Sequence, residues 1–213
     1  MLAPGEPKFR RRKADRPAEI LGAALAVFAE HGFAAARLDE IAARAGVSKG
    51  ALYLYFETKE ELFRAVVEQA IAPNILAIRA MIAAHPGPFS DLLQLFAGRM
   101  ALLVDTLPVG GVVKMVIGEA RNFPQIARVY HDALVSQALG ALADAVAAAQ
   151  GRGEVKPGDP RTYALQIIAP ILTGVIWRET FVPVGAEPFN LQALIRQHIE
   201  TLLGGLMIKA ALA

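Results

Sequence analysis

The 213-residue chain contains no cysteine. That one absence excludes disulfides, thiolate nucleophiles and cysteine-ligated metals. Its four histidines, His31, His85, His131 and His198, stand far apart and show no metal-ligand spacing such as His-Glu-x-x-His. No strand-plus-glycine phosphate loop is present, and GRGEVKPG (151–158) reads as a helix connector. Tyr130-His131-Asp132 is no catalytic trio, because adjacent residues on a helix point in different directions. We therefore expect no catalytic residues, no metal, no cofactor and no enzymatic activity. Long apolar runs are also scarce: TYALQIIAPILTGVIW (162–177) falls short of the roughly 20 residues needed to span a bilayer and contains Pro170. No membrane partner is expected.

Charge of one sign is nearly missing too, since 22 Lys+Arg face 20 Asp+Glu. The small excess lies wholly before residue 65, most densely in KFRRRKADR (8–16), a basic arm suited to phosphate. Basic residues followed by ILGAALAVFA (20–29) and Ala34-Ala35-Ala36 imitate a signal peptide. Asp15 and Glu19 interrupt that pattern, Leu21, Leu25 and Phe28 recur at helical spacing, and cleavage after Ala36 would remove a helix the next segment needs. A cytoplasmic protein is expected.

What the chain has in abundance is helix. Ala, Leu, Glu, Arg and Gln dominate, apolar residues recur every three or four positions, and no β-branched run alternates. The fold class expected is all-α with about nine helices: an N-terminal helix-turn-helix three-helix domain plus a larger helical domain. Asp15 should cap the first helix, with Pro17 in its opening turn and Gly32 at its end. A second helix runs from about Leu38 to Ala45, Gly46 breaks it and Ser48 caps a third. Thr58 and Glu61 form a capping box for a long fourth helix, which Pro73 should kink by clashing with the Gln69 carbonyl. HPGP (85–88), LPVGG (107–111), Phe123-Pro124, GRGEVKPGDP (151–160) and VPVGAEP (182–188) break the remainder.

Residues 38–63 carry the chemistry. Ala42, Gly46 and Leu52 supply a small residue at a helix crossing, a glycine at the turn and an apolar inner face, with Ile41, Val47 and Phe56 as further buried positions. Ser48, Lys49 and Gly50 then sit at a helix N-terminus, where free N–H groups favour phosphate. Ala51, Tyr53 and Leu54 can reach base edges, while Tyr55 and Lys59 flank them as phosphate anchors.

GVSKGALYLYFETKEELF, preceded by GFAAARLDEIAARA, resembles the DNA-binding domain of the TetR/AcrR family of bacterial transcriptional regulators. The resemblance implies a homodimer on double-stranded DNA, with the third helix as recognition helix. It carries Ser48, Lys49, Gly50, Tyr53, Tyr55 and Lys59 over as site residues. The family's Thr-Thr or Thr-Ser pair before the second helix is replaced by Ala36-Arg37, so a cap hydroxyl is lost, and Arg37 offers a guanidinium in its place. Position 51, often Thr, is Ala. The implied organisation is a basic flexible arm over 1–15, a DNA-binding domain over 16–64 and a ligand-binding and dimerisation domain over 65–213.

KMVIGEARNFPQIARVYHDAL (114–134) and PFNLQALIRQHIETLLGGL (188–206) resemble AcrR-type members, whose last two long helices form the dimer interface. Ile167, Ile171, Gly174, Leu191, Ile195, Ile199 and Leu202 would be the interface residues here. Phe96, Met100, Met115, Tyr130, Trp177 and Phe181 could line an apolar ligand cavity, with Glu119, His131 and Arg178 as polar handles. The function expected is a ligand-responsive regulator, a repressor by the family's base rate, that binds a palindromic operator and is released by a small, largely apolar effector. Two alternatives stay open: a ligand-independent DNA-binding regulator or architectural protein, and a helical enzyme using the C-terminal cavity.

Overall fold

The computed structural model describes residues 8–208, with side chains from Arg16 onward. Among the described residues the protein is all-α, with nine helices. They are α1 (Lys8–Ala35), α2 (Leu38–Arg44), α3 (Lys49–Tyr53), α4 (Lys59–Ala84), α5 (Phe89–Thr106), α6 (Val109–Glu119), α7 (Pro124–Gly151), α8 (Pro160–Thr180) and α9 (Leu191–Leu206).

The caps follow local chemistry, with one correction. Helical backbone begins by Lys8, so Asp15 is no cap and Pro17 lies inside α1; the Lys, Arg and Ala of this stretch favour helix strongly enough to extend it. Residues 1–7 of the expected arm lie outside the described residues. Gly32, at φ 78°, ends the regular part of α1. A Schellman pair ends α2: with Gly46 at φ 66°, its N–H donates to Ala43 O (3.1 Å) and Val47 N–H to Ala42 O (3.0 Å). Ser48 Oγ accepts from Ala51 N–H at 3.1 Å. Thr58 Oγ1 accepts from Glu61 N–H at 3.1 Å. The return bond of this box lands one residue early, since Glu61 Oε2 accepts from Glu57 N–H at 2.9 Å.

Pro73 does interrupt α4, through a π segment over Val66–Ile71 in which Ala72 N–H reaches back five residues to Val67 O. The wider turn accommodates a proline that cannot donate. A second π segment, His131–Val135, interrupts α7, with Ser136 N–H on His131 O. The expected break at LPVGG falls on Leu107 and Pro108, between α5 and α6, while its glycines, Gly110 and Gly111, lie inside α6. A Cβ on Gly111 would stand 2.7 Å from Ala29 Cβ and 2.9 Å from Ala29 O, so the bare glycine lets α6 lie directly on α1.

Two apolar cores result. The first joins α1 to α4 through Ile20, Phe28, Phe33, Ile41, Leu52 and Phe63, and continues into α6 and α7 through Val112, Met115 and Ile126. Phe28, Phe33 and Phe63 meet with ring centroids 5.7–5.8 Å apart, and Phe123 reaches Phe33 at 5.0 Å. The head thus shares its core with the segment after residue 64. The second core, built from α4, α5, α7, α8 and α9, centres on Phe89, Phe96, Val146, Ile167, Ile171 and Ile195. Four helical stretches, Arg16–Ala35, Lys59–Ala84, Pro124–Gly151 and Pro160–Val184, are long and apolar enough to cross a membrane. That overturns the sequence reading on length and composition, but each also supplies side chains to these cores.

Candidate nucleic-acid interface

The α2–turn–α3 unit is clamped to α1 by a network that the sequence pattern did not reveal. Arg44 donates from Nη1 and Nη2 to both carboxylate oxygens of Glu30 (2.7 and 2.6 Å) and from Nη2 to Glu40 (2.9 Å). The His31 ring lies 3.0 Å from the same Glu40 oxygen. The guanidinium bond holds the Glu30 carboxyl below its ordinary range. Arg44–Glu40 is an i,i+4 pair visible in principle, but the partners on α1 lie across a turn.

Leu52 points into the core. Its neighbours then face outward by helical geometry: Tyr53 and Tyr55 are exposed, and Leu54 is 84% exposed. Lys49 Nζ sits 2.7 Å from Asp39 Oδ1, which raises the lysine and lowers the aspartate, chiefly through that hydrogen bond. The same amine lies 6.0 Å from the Tyr53 ring centroid. Gly50 is exposed and Ala51 half-buried. Arg37 is exposed at the N-cap of α2 and makes no cap bond with its side chain. Lys59 differs from the expectation of a free phosphate anchor. Its Nζ donates to Ala34 O (2.9 Å) and Ala36 O (3.2 Å) and lies 4.8 Å from the Phe33 ring centroid, so it fastens the α1–α2 loop to α4.

Behind the head lies a cavity of about 190 Å³ bounded by α4, α5, α6, α7 and α8, with Leu25 of α1 in its wall. Phe96, Met100 and Tyr130 line it. Both π segments contribute, through Ile71 on one side and Leu134 and Val135 on the other. A larger groove, about 440 Å³ between α5 and α9, is lined in part by Arg196, Glu200 and Gln192 and includes no residue of the head.

Residues 20–66 match the family described as "Bacterial regulatory proteins, tetR family", and residues 88–187 match "Tetracyclin repressor-like, C-terminal domain". The chain belongs to the TetR family. It is 43% identical over 65 residues to the transcriptional activator FasR of Mycolicibacterium smegmatis, covering 30% of each chain. To the transcriptional repressor BepR of Brucella suis biovar 1 it is 36% identical over 98 residues, covering 44% of this chain and 47% of BepR. The matched stretches thus span less than half of these relatives. The FadR regulator of Bacillus subtilis, solved in complex with stearoyl-CoA, shares the fold with a TM-score of 0.71 at 23% identity, over 88% of this chain and 98% of that one. The family and these relatives are transcriptional regulators, not enzymes.

For a TetR-family chain, several expected site residues are differently employed. Met115 is buried in the first core, away from the cavity lining. Glu119 Oε1 accepts from Ala34 N–H at 2.9 Å, tying the end of α6 to the kinked end of α1. His131 is exposed beside Asp132 at 2.8 Å. Trp177 packs near Phe181 and Phe189, at 5.0 and 5.4 Å between centroids, outside the cavity, and donates from Nε1 to Glu187 O. Arg178 is occupied by Val104 O (2.8 Å) and Glu179 (3.0 Å). The cavity residues that sequence reasoning missed, Ile71, Asn74, Ile75 and Ile168 among them, carry one signal in hindsight: Asn74 is a lone amide directly after Pro73 in an apolar run.

The expected interface stripe is also corrected. Ile167, Ile171, Leu191, Ile195 and Ile199 are buried in the protomer's own core, because α8 and α9 pack on each other, α8 also on α6 and α7, and α9 on α5. A Cβ on Gly174 would meet Leu194 Cδ2 at 2.6 Å and Leu191 Cδ2 at 2.9 Å, so this glycine serves that internal packing. Leu202 is half-buried against the same core. What α8 and α9 leave outward is an open apolar groove lined by Ala169, Pro170, Thr173, Trp177, Phe189 and Leu194.

Proposed function

We propose that the protein is a cytoplasmic homodimer that binds a palindromic operator through α3 and is released by a small, largely apolar effector in the α4–α8 cavity. The observation that carries the DNA reading is the exposed run Tyr53-Leu54-Tyr55 on an otherwise core-bound, capped three-helix unit. A large leucine so exposed beside two tyrosines, a lysine and Arg37 has the composition of a major-groove reader, apolar contact for a thymine methyl and hydroxyls for base edges. Lys49 exchanges Asp39 for a phosphate on binding. Two such heads on a two-fold axis must meet successive major grooves about 34–36 Å apart.

Effector response is supported by continuity between cavity and head. Leu25 belongs to both, α6 carries Val112 in the cavity wall and Glu119 on Ala34, and Lys59 holds the next carbonyls of the same loop. A ligand that binds better when α1 and α6 are repositioned lowers operator affinity by its differential affinity for the two states. The lining of this cavity, apolar but for Asn74 and Tyr130, favours an apolar effector class. Repression is the reading adopted, because release by an effector gives a direct on-switch.

Selection of bound fragments from the source genome, with Tyr53→Ala run beside the native protein, tests this. A recurrent palindrome is expected, and Tyr53→Ala should change the preferred sequence. Uniform weakening across all sequences would refute base contact by Tyr53, and no enriched sequence would refute the operator reading.

A further inference from the structure

The cavity described above is lined by 20 residues, of which Asn74 and Tyr130 alone carry polar side chains. Neither an acid, a base nor a histidine touches it. An ionised carboxylate, phosphate or ammonium placed there would find no counter-charge and would lose its hydration, a cost that a few dipoles do not offset. The two polar groups are close in kind to a single neutral handle. Tyr130 makes no hydrogen bond to another described residue, and its phenol, protonated at neutral pH like any tyrosine and pushed up further, to about 12, by burial, has a proton to donate. Asn74 Nδ2 has one long bond to Ala70 O, at 3.4 Å, which leaves the rest of its amide to a ligand. The volume limits size as well. About 190 Å³ is modestly above the roughly 150 Å³ that holds one benzene ring in an engineered apolar cavity.

We infer that the effector is an uncharged, compact lipophile, about one ring with a short tail, carrying a single oxygen that accepts from Tyr130 and meets Asn74. This rests on the effector-responsive reading but is separable from it. The position of the handle matters. Tyr130 stands at the start of the second π segment and Asn74 just past the first, so a ligand oxygen shared by both joins the two irregular turns across the cavity. The walls that hold the ring, such as Phe96 and Met100 of α5, supply area and adaptable packing without directional demands.

Four probes with one skeleton separate the possibilities: 3-phenylpropan-1-ol, propylbenzene, 3-phenylpropanoate and 3-phenylpropylammonium, titrated calorimetrically into the full chain at neutral pH. The alcohol should bind more than about tenfold tighter than the acid or the amine. Tyr130→Phe should weaken the alcohol about three- to tenfold and leave propylbenzene unchanged, since only a hydrogen bond is removed. Ala138→Leu, which fills the cavity wall from α7, should abolish both, with the thermal melt confirming that each variant folds. Equal binding by either ion, no binding by the alcohol at millimolar concentration, or no effect of Tyr130→Phe would overturn the inference. Operator release is read separately by gel shift. If the alcohol binds with the expected selectivity yet leaves the operator complex intact, the ligand class stands and release by cavity occupation falls.

Discussion

Arg37 and Lys59 look interchangeable as cations flanking a recognition helix, yet their surroundings give them different work. Arg37 is exposed and its side chain makes no cap bond at the start of α2, so Arg37→Ala should leave the melting temperature unchanged and reduce the salt slope of operator binding by about one. Lys59 holds two backbone carbonyls of the Phe33–Arg37 loop. Lys59→Met should cost about 1 kcal/mol of folding stability, by loss of charge-assisted bonds at a half-exposed position. It should also weaken operator binding at every sequence, because the loop that sets Arg37 and α2 loses its tie. Parallel denaturant melts and salt titrations of the two variants check the contrast; equal melts for both would show that Lys59 is a simple phosphate anchor. The residue pattern reveals such a lysine but not its partners, because its acceptors are backbone carbonyls 23 and 25 positions away.

Between helices, the decisive residue is the one with no side chain. Gly111 and Gly118 lie on the same α6, but a Cβ at 111 meets Ala29 backbone while one at 118 meets nothing within 4 Å. Gly111→Ala should destabilise by about 1–3 kcal/mol through overpacking against α1. Gly118→Ala should be neutral or stabilising by up to about 1 kcal/mol, from helix propensity alone. Urea melts of the pair measure this, and equal effects would mean that α6 does not rest on α1 as described. Legibility divides along the same line. The caps at Ser48 and Thr58 and the turn at Gly46 were readable, because each is set by chemistry within three or four residues. LPVGG did break the chain, at Leu107-Pro108 between α5 and α6, but its two glycines joined α6, because helix propensity registers the entropic cost of glycine whereas here the close approach of α1 decides. The π segment before Pro73 had a local signal and the one at His131–Val135 had none. Similarly Phe96, Met100 and Tyr130 were placed on the cavity by residue type, but Glu119 and Trp177, chosen on the same grounds, are directed elsewhere by which helix face meets which neighbour.

At the scale of the whole molecule, the apolar periodicity of α8 and α9 has two claimants, the protomer's core and a second copy, and a one-chain pattern cannot apportion it. In the structure the isoleucine stripe goes inward, which leaves the two-fold contact proposed here to the groove at Pro170, Thr173, Trp177, Phe189 and Leu194. Phe189 is exposed and Trp177 is half-buried beside it, so a partner that covered them would bury aromatic area of the kind that dominates interface energetics. Phe189→Asp places an unpaired charge in that contact without touching either recognition head or the two cores. Sedimentation should show a dimer for the native chain and a monomer for the variant, and operator affinity should fall by two orders of magnitude or more, about 2.7 kcal/mol, since one half-site contact can no longer support the other. Ile195→Val, inside the core, should instead cost about 0.5–1.5 kcal/mol of stability and leave association unchanged. A dimeric Phe189→Asp variant would place the two-fold contact elsewhere on the surface, and with it the spacing of the two α3 helices on DNA.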